Sequence, residues 1–147
     1  KPDHVDYYHT MGEWYGRIAV ENPFVTPYFE YYYDHLVYKG AFMQGGLRHE
    51  FGLPLGFTLT PDLTIGGGDR NYNSCMYPPF DGSVAGGITY VQLMGTLQYW
   101  FNDHFGVHAR IAYVSLVNGD IRDAVDEYGS PYANDHVWGT IGVDVAF

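Results

Sequence analysis

The sequence predicts an all-β protein, and three observations lead to that prediction. Aromatic residues make up 18% of the 147 residues, and 19 residues are Gly. This composition favours pleated sheet and turns over helix. Apolar and polar residues alternate along several segments, which is the side-chain period of a strand. Residues typical of turns separate these segments. The composition shows no change that would mark a second domain.

Seven segments are predicted as strands because their apolar residues fall on alternate positions, opposite polar ones. In chain order these apolar positions are Trp14, Ile18 and Val20; Phe29, Tyr31 and Tyr33; Ala41, Met43 and Leu47; Phe57, Leu59, Leu63 and Ile65; Val91, Leu93, Leu97, Tyr99 and Phe101; Val107, Ala109, Ile111 and Tyr113; Ile141, Val143, Val145 and Phe147. Residues 4–10 are a candidate eighth strand with a more polar composition.

The uncharged segment 82–102 has the length of a transmembrane helix, but its composition does not fit one. It contains Gly82, Gly86, Gly87 and Gly95, and its apolar residues from position 91 onward recur every second residue. We therefore predict a long strand here.

The predicted connections alternate in length. Segments 21–24, 51–55 and 102–105 are short and contain turn residues, whereas segments 67–83 and 117–136 are long, polar loops. Short turns at one rim and long loops at the other are typical of an antiparallel up-and-down transmembrane β-barrel.

Charge narrows the range of functions. The chain has 7 Lys+Arg against 17 Asp+Glu, a net charge of −10 that argues against nucleic-acid binding. Charged residues are only 16% of the chain, against about 25% in a typical soluble domain, which favours a membrane barrel. A soluble β-barrel that buries its apolar face around an apolar ligand remains an alternative.

The C-terminal segment carries apolar residues at Ile141, Val143, Val145 and Phe147, and the last of them is aromatic. It resembles the terminal strand of Gram-negative outer-membrane β-barrels, which the barrel-assembly machinery reads. Segment 113–124 is similar to the penultimate strand and loop of an uncharacterised porin-like family of such proteins. The resemblance implies a bacterial outer-membrane location and a barrel of about seven or eight strands in this chain, with no assigned activity.

In such a barrel, we expect the polar positions to line the lumen and the apolar positions of the last strand to face the lipid bilayer. The predicted lumen residues are Arg17, Arg48, Arg110, Glu30, Glu50, Asp62, Gln92 and Asp144. They would form either an ion-pair network that fills a narrow barrel or the lining of a charge-selective pore. The expected function is therefore a passive pore or a structural scaffold.

Seven antiparallel strands would leave the first and last strands parallel at the closing seam, which single-chain bacterial barrels avoid. We therefore expect further barrel strands, either from a missing N-terminal segment or from another chain. On this hypothesis residues 1–147 are the C-terminal part of a larger barrel. The alternative is a single barrel domain in which residues 4–10 supply the eighth strand.

Catalytic chemistry has little support in the sequence. Ser74 and Ser83 suggest a small barrel hydrolase acting on lipid or glycan, but no triad spacing accompanies them, so we assign no catalytic residue. The seven His residues lack the spacing of metal ligands, and we expect no metal ion and no cofactor. Cys75 is a lone thiol within a predicted loop.

Overall fold

The computed structural model describes residues 12–36, 39–77, 84–127 and 134–146, and most of them belong to one antiparallel β-sheet. Its strands are β1 (Glu13–Ala19), β2 (Thr26–Asp34), β3 (Gly40–Arg48), β4 (Phe51–Gly52), β5 (Phe57–Gly68), β6 (Gly87–Trp100), β7 (Phe105–Leu116) and β8 (Asp135–Val145). Two helices, α1 (Arg70–Met76) and α2 (Gly119–Glu127), complete the regular structure together with a 3₁₀ turn at Pro54–Gly56. The all-β antiparallel prediction is confirmed, and within the uncharged segment residues Gly87–Trp100 form the long strand β6.

Each long strand pairs with the strands next to it in the sequence, in the order β1-β2-β3-β5-β6-β7-β8. The short β4 follows β3 and pairs with the first half of β5 at Leu59 and Thr58. It is the eighth strand of the described sheet, while the candidate strand at residues 4–10 lies outside the described residues.

The sheet is open in this structure. Among the described residues, β1 and β8 are its two edges and do not pair with each other, so the predicted closed barrel is not formed. The path from β1 to β8 contains seven antiparallel strands, and the two edge strands therefore run in the same direction.

The connections lie at two rims. The turn rim holds the short links 20–25, 49–56 and 101–104, and Asn22 and Asn102 shape two of them. Each Asn side-chain oxygen accepts hydrogen bonds from the backbone N–H groups two and three residues later, as an Asx turn requires. The helix rim holds the described parts of three connections: residues 35–36 and 39, residues 69–77 with 84–86, and residues 117–127 with 134.

Helices α1 and α2 correct the prediction that both long connections are loops. The Asp69 carboxylate accepts a hydrogen bond from the Tyr72 N–H at 2.8 Å, and the Asn118 side chain accepts one from the Ile121 N–H at 3.3 Å. Asp and Asn are strong N-cap residues, and this signal could have located both helix starts. Neither helix in the described part of the chain is long and apolar enough to span a membrane.

Candidate functional site

The antiparallel register assigns every side chain of the sheet to one of two faces. Directly paired residues share a face, so one row runs through Leu47, Leu63, Leu93, Tyr113 and Val137 on five successive long strands. We call the face that contains this row the apolar face, and the opposite one the polar face.

The apolar face is exposed across the whole sheet. Its exposed aliphatic side chains are Ile18, Met43, Leu47, Leu59, Leu63, Ile65, Ile88, Leu93, Leu97, Ile111, Val137, Ile141, Val143 and Val145. The three predicted lipid-facing positions of β8 lie on it, and 89% of the Ile141 side chain and 69% of Val143 are accessible. Phe147, the fourth predicted position, lies outside the described residues.

Aromatic residues collect where the apolar face meets the turn rim. Phe57 and Tyr99 pair across β5 and β6 with ring centroids 4.8 Å apart, and Tyr99 meets Phe101 edge-on at 5.1 Å. Phe105 lies on the same face beside Val145 and is exposed. Aromatic side chains at the strand ends are typical of an interfacial girdle.

The polar face centres on Glu30 of β2, which is only 8% exposed. Its carboxylate accepts hydrogen bonds from the Tyr32 hydroxyl at 2.9 Å, the Tyr15 hydroxyl at 3.4 Å and the Gln44 amide, and it lies 3.4 Å from Nε of Arg17. Two of the predicted lumen residues, Arg17 and Glu30, are thereby brought together. A nearly buried carboxylate requires such partners because desolvation penalises its charge.

A second polar cluster surrounds Asp62 of β5. The Tyr28 hydroxyl donates to Asp62 Oδ1 at 2.9 Å and lies 2.6 Å from the Thr64 hydroxyl, which also donates to Asp62. The Arg17 guanidinium lies 5.7 Å from the centre of the Tyr28 ring, a cation–π distance that links this cluster to Glu30.

The third cluster lies near the turn rim on β6, β7 and β8. Asp144 accepts a hydrogen bond from the Gln98 amide at 2.9 Å, and both of its oxygens lie 3.0 Å from Nδ1 of His108. Among the described residues, no hydroxyl group hydrogen-bonds to His108, so this His–Asp pair lacks the nucleophile of a hydrolase. Within the same residues, no three His, Cys, Asp or Glu side chains are placed to hold a metal ion.

The remaining predicted lumen residues occupy different places. Arg48 ends β3 in register with Asp62, and Gln92 of β6 is paired with Thr64, both on the polar face. Arg110 is exposed on the polar face of β7. Glu50 lies outside the strands, in the turn-rim connection after β3, where it lines a shallow surface pocket with Arg48.

Glycines on the polar face let aromatic side chains cross to the next strand. Tyr28 lies over its register partner Gly46, and Tyr90 lies over its partner Gly66. A Cβ at either glycine would fall 2.5 Å from the tyrosine, so a larger residue does not fit without movement. In the sequence, these glycines indicated only turns and strands. Their role in making space for a tyrosine was missed, because it depends on the strand register.

At the helix rim the polar face becomes apolar and is covered by the two helices. Ile121 of α2 is fully buried against Val84 and Leu116, with Tyr77 and Tyr90 packed beside them. Burial raises the pKa of the Tyr77 phenol. This small cluster is the hydrophobic core of the described residues.

Polar contacts fix both helices over this rim. Asn73 of α1 is completely buried, and its amide donates to the Ala85 carbonyl at 2.9 Å and the Gly68 carbonyl at 3.3 Å. Arg122 of α2 donates to the Leu116 carbonyl at 2.7 Å and lies 3.7 Å from Asp135 of β8. Ser74 and Cys75 lie on α1, with Cys75 exposed, while Ser83 lies outside the described residues.

Comparisons with known proteins do not assign this chain to a family. No model of a known protein family matches the chain. No curated protein matches it either.

Proposed function

We propose that this chain is part of a bacterial outer-membrane β-barrel that serves as a scaffold or passive pore. The observation that carries the proposal is the placement of apolar side chains on an exposed face that extends from β1 to β8, opposite a face of hydrogen-bonded polar groups. A soluble sandwich would bury its apolar face under a second layer, and no described residue covers this one. Lipid would cover it in a membrane.

Strand length also supports a membrane location. Strands β5, β6, β7 and β8 contain 12, 14, 12 and 11 residues. A tilted strand needs about 9–11 residues to cross the hydrocarbon core. These four strands are therefore long enough to span it.

A barrel in lipid would require more strands than the described sheet contains. The open edges of β1 and β8 carry backbone groups that would each cost several kcal/mol unpaired in hydrocarbon. Because these two strands run in the same direction, an odd number of added strands makes every seam antiparallel. We propose that a segment before β1 or another chain supplies them.

The polar face favours a scaffold over a wide pore. The Glu30, Asp62 and Asp144 carboxylates are already bound by neighbouring side chains, and helices α1 and α2 lie over the helix rim. Charged groups tied to one another in this way fill space instead of coordinating a passing solute. We therefore expect low conductance.

Membrane extraction tests the proposal. The protein produced in a Gram-negative host should sediment with the outer membrane and remain there after washing with alkaline carbonate. Protein that stays soluble without detergent would instead support the soluble, apolar-ligand barrel. Purified protein in a planar bilayer should show little steady conductance, and large channels would favour the pore form over the scaffold.

A further inference from the structure

A groove crosses the apolar face close to the helix rim. Its volume is about 660 Å³, within the usual range of ligand pockets, about 300–1,000 Å³. Gly45, Gly67 and Gly87 line it without side chains, and Met43, Ile65 and Ile88 are among its apolar walls. We call it the glycine groove.

Backbone contact fixes two of these glycines. A Cβ on Gly67 would lie 2.1 Å from the Gly87 carbonyl oxygen, and Gly87 has a φ of 139°, which L side chains rarely adopt. The strand register shifts at Gly66/Gly67, so a bulge brings these backbones together. Gly45 differs, because a Cβ there would meet its nearest atom at an ordinary 3.4 Å.

Arg70 lines the rim end of the glycine groove and is exposed. Its guanidinium makes no hydrogen bond or ion pair with any described residue, unlike Arg17 with Glu30 or Arg122 with Asp135. The neighbouring Asp69 carboxylate is already engaged, since it accepts hydrogen bonds from the backbone N–H groups of Ala41 and Tyr72. A cation that no described residue pairs therefore lies at the end of the apolar groove.

We propose that the glycine groove binds one acyl chain of a phosphate-bearing lipid, with Arg70 holding the phosphate. The guanidinium fork matches phosphate oxygens, and the backbone floor lets a chain approach closely. A second copy of this chain is a less suitable occupant of the groove. If the two copies are related by rotation about the membrane normal, their Arg70 side chains lie at the same depth in the membrane, and their positive charges repel each other. The inference rests on the proposed membrane location.

Native mass spectrometry of the assembled protein, extracted from the membrane in detergent micelles, tests the site. The probes are phosphatidylglycerol, diacylglycerol, which lacks phosphate, and inorganic phosphate, which lacks an acyl chain. We expect retained phosphatidylglycerol and much weaker retention of the other two. Arg70→Gln should weaken phosphatidylglycerol binding about tenfold and remove the preference over diacylglycerol.

The groove itself is tested with a matched pair of variants. Gly45→Leu places a side chain on the groove floor, whereas Gly95→Leu adds the same side chain to the apolar face of β6 where no atom lies within 4 Å of its Cβ. Binding should fall at least about tenfold in Gly45→Leu and stay unchanged in Gly95→Leu.

Equal retention by the two Leu variants would overturn the inference, as would an unchanged lipid preference in Arg70→Gln or binding of inorganic phosphate alone. If Gly45→Leu does not assemble, Arg70→Gln decides, because the exposed Arg70 side chain has no partner among the residues that the structure describes. Loss of carbonate-resistant membrane association in the unaltered protein would contradict the proposed function, whereas membrane association without selective lipid binding contradicts only this site.

Discussion

The Tyr90 hydroxyl donates a 2.6 Å hydrogen bond to Oε1 of Gln44 across the strand that separates them, above Gly66. The Gln44 amide donates in turn to Glu30, which lies 3.4 Å from Arg17. Side chains from β1, β2, β3 and β6 are thus linked across the polar face. This link stabilises the sheet independently of its backbone ladder.

Gly66→Val tests the space on which that link depends. The new Cβ would lie 2.5 Å from the Tyr90 ring, so the ring must shift and the hydrogen bond to Gln44 is lost. We expect a cost of about 1–3 kcal/mol in the free energy of unfolding, measured by urea titration in detergent. Gly95→Val is the control, since its Cβ meets no atom within 4 Å. Equal stability of the two variants would contradict the role of Gly66.

Glu30→Ala tests the centre of the polar network. The substitution leaves the Tyr32 hydroxyl, the Gln44 amide and the Arg17 guanidinium without their shared acceptor. We expect a loss of at least about 2 kcal/mol, because hydrogen bonds to charged groups are worth about 1.5–3 kcal/mol each. Glu13→Ala, at an exposed position of β1, should change stability by less than about 0.5 kcal/mol. A similar loss in both variants would show that Glu30 acts only through net charge.

Arg substitutions on β8 test which face meets lipid. Val143→Arg places a charge on the apolar face and should cost about 2–4 kcal/mol in a bilayer, whereas Thr140→Arg places it on the polar face and should cost less. The measurement is the unfolding free energy in lipid vesicles. Equal tolerance at the two positions would reject the assignment of faces to lipid and lumen.

Ile121→Asp tests the cover that α2 forms over the helix rim. Ile121 is fully buried, and an unpaired carboxylate in its place should release α2 from Leu116 and Val84. Backbone amides of α2 should then exchange hydrogen faster, as measured by mass spectrometry. Val117→Asp, at an exposed position before the helix, is the control. Unchanged exchange in Ile121→Asp would show that α2 is held by its polar contacts alone.

The strands were predictable because one face of this sheet is apolar along most of its length, so that apolar residues recur at every second position, as at Ile141 and Val143 with Thr140 on the other face. The two helices were missed because the Gly and Asn residues around them indicate a loop, although Asp69 and Asn118 are N-cap signals. The burial of Ile121 could not be predicted, because it depends on contact with Val84 from another part of the chain. The pairing of Arg17 with Glu30 follows from register, which alternation alone does not supply. Alternation also placed Glu50 in the predicted lumen, but β3 ends at Arg48, before Glu50 is reached.

Hydrogen exchange along β8 tests whether its edge is paired in the assembled protein. In an antiparallel ladder, only every second backbone N–H of β8 can donate to β7, and the others point away from the sheet. If an added strand closes the barrel, amides throughout β8 should be protected in lipid, like those of the interior strand β6. Fast exchange at alternate residues of β8, with β6 fully protected, would instead mean that the edge stays open. Since an open edge is costly in hydrocarbon, that pattern would also argue against a membrane-spanning position for β8.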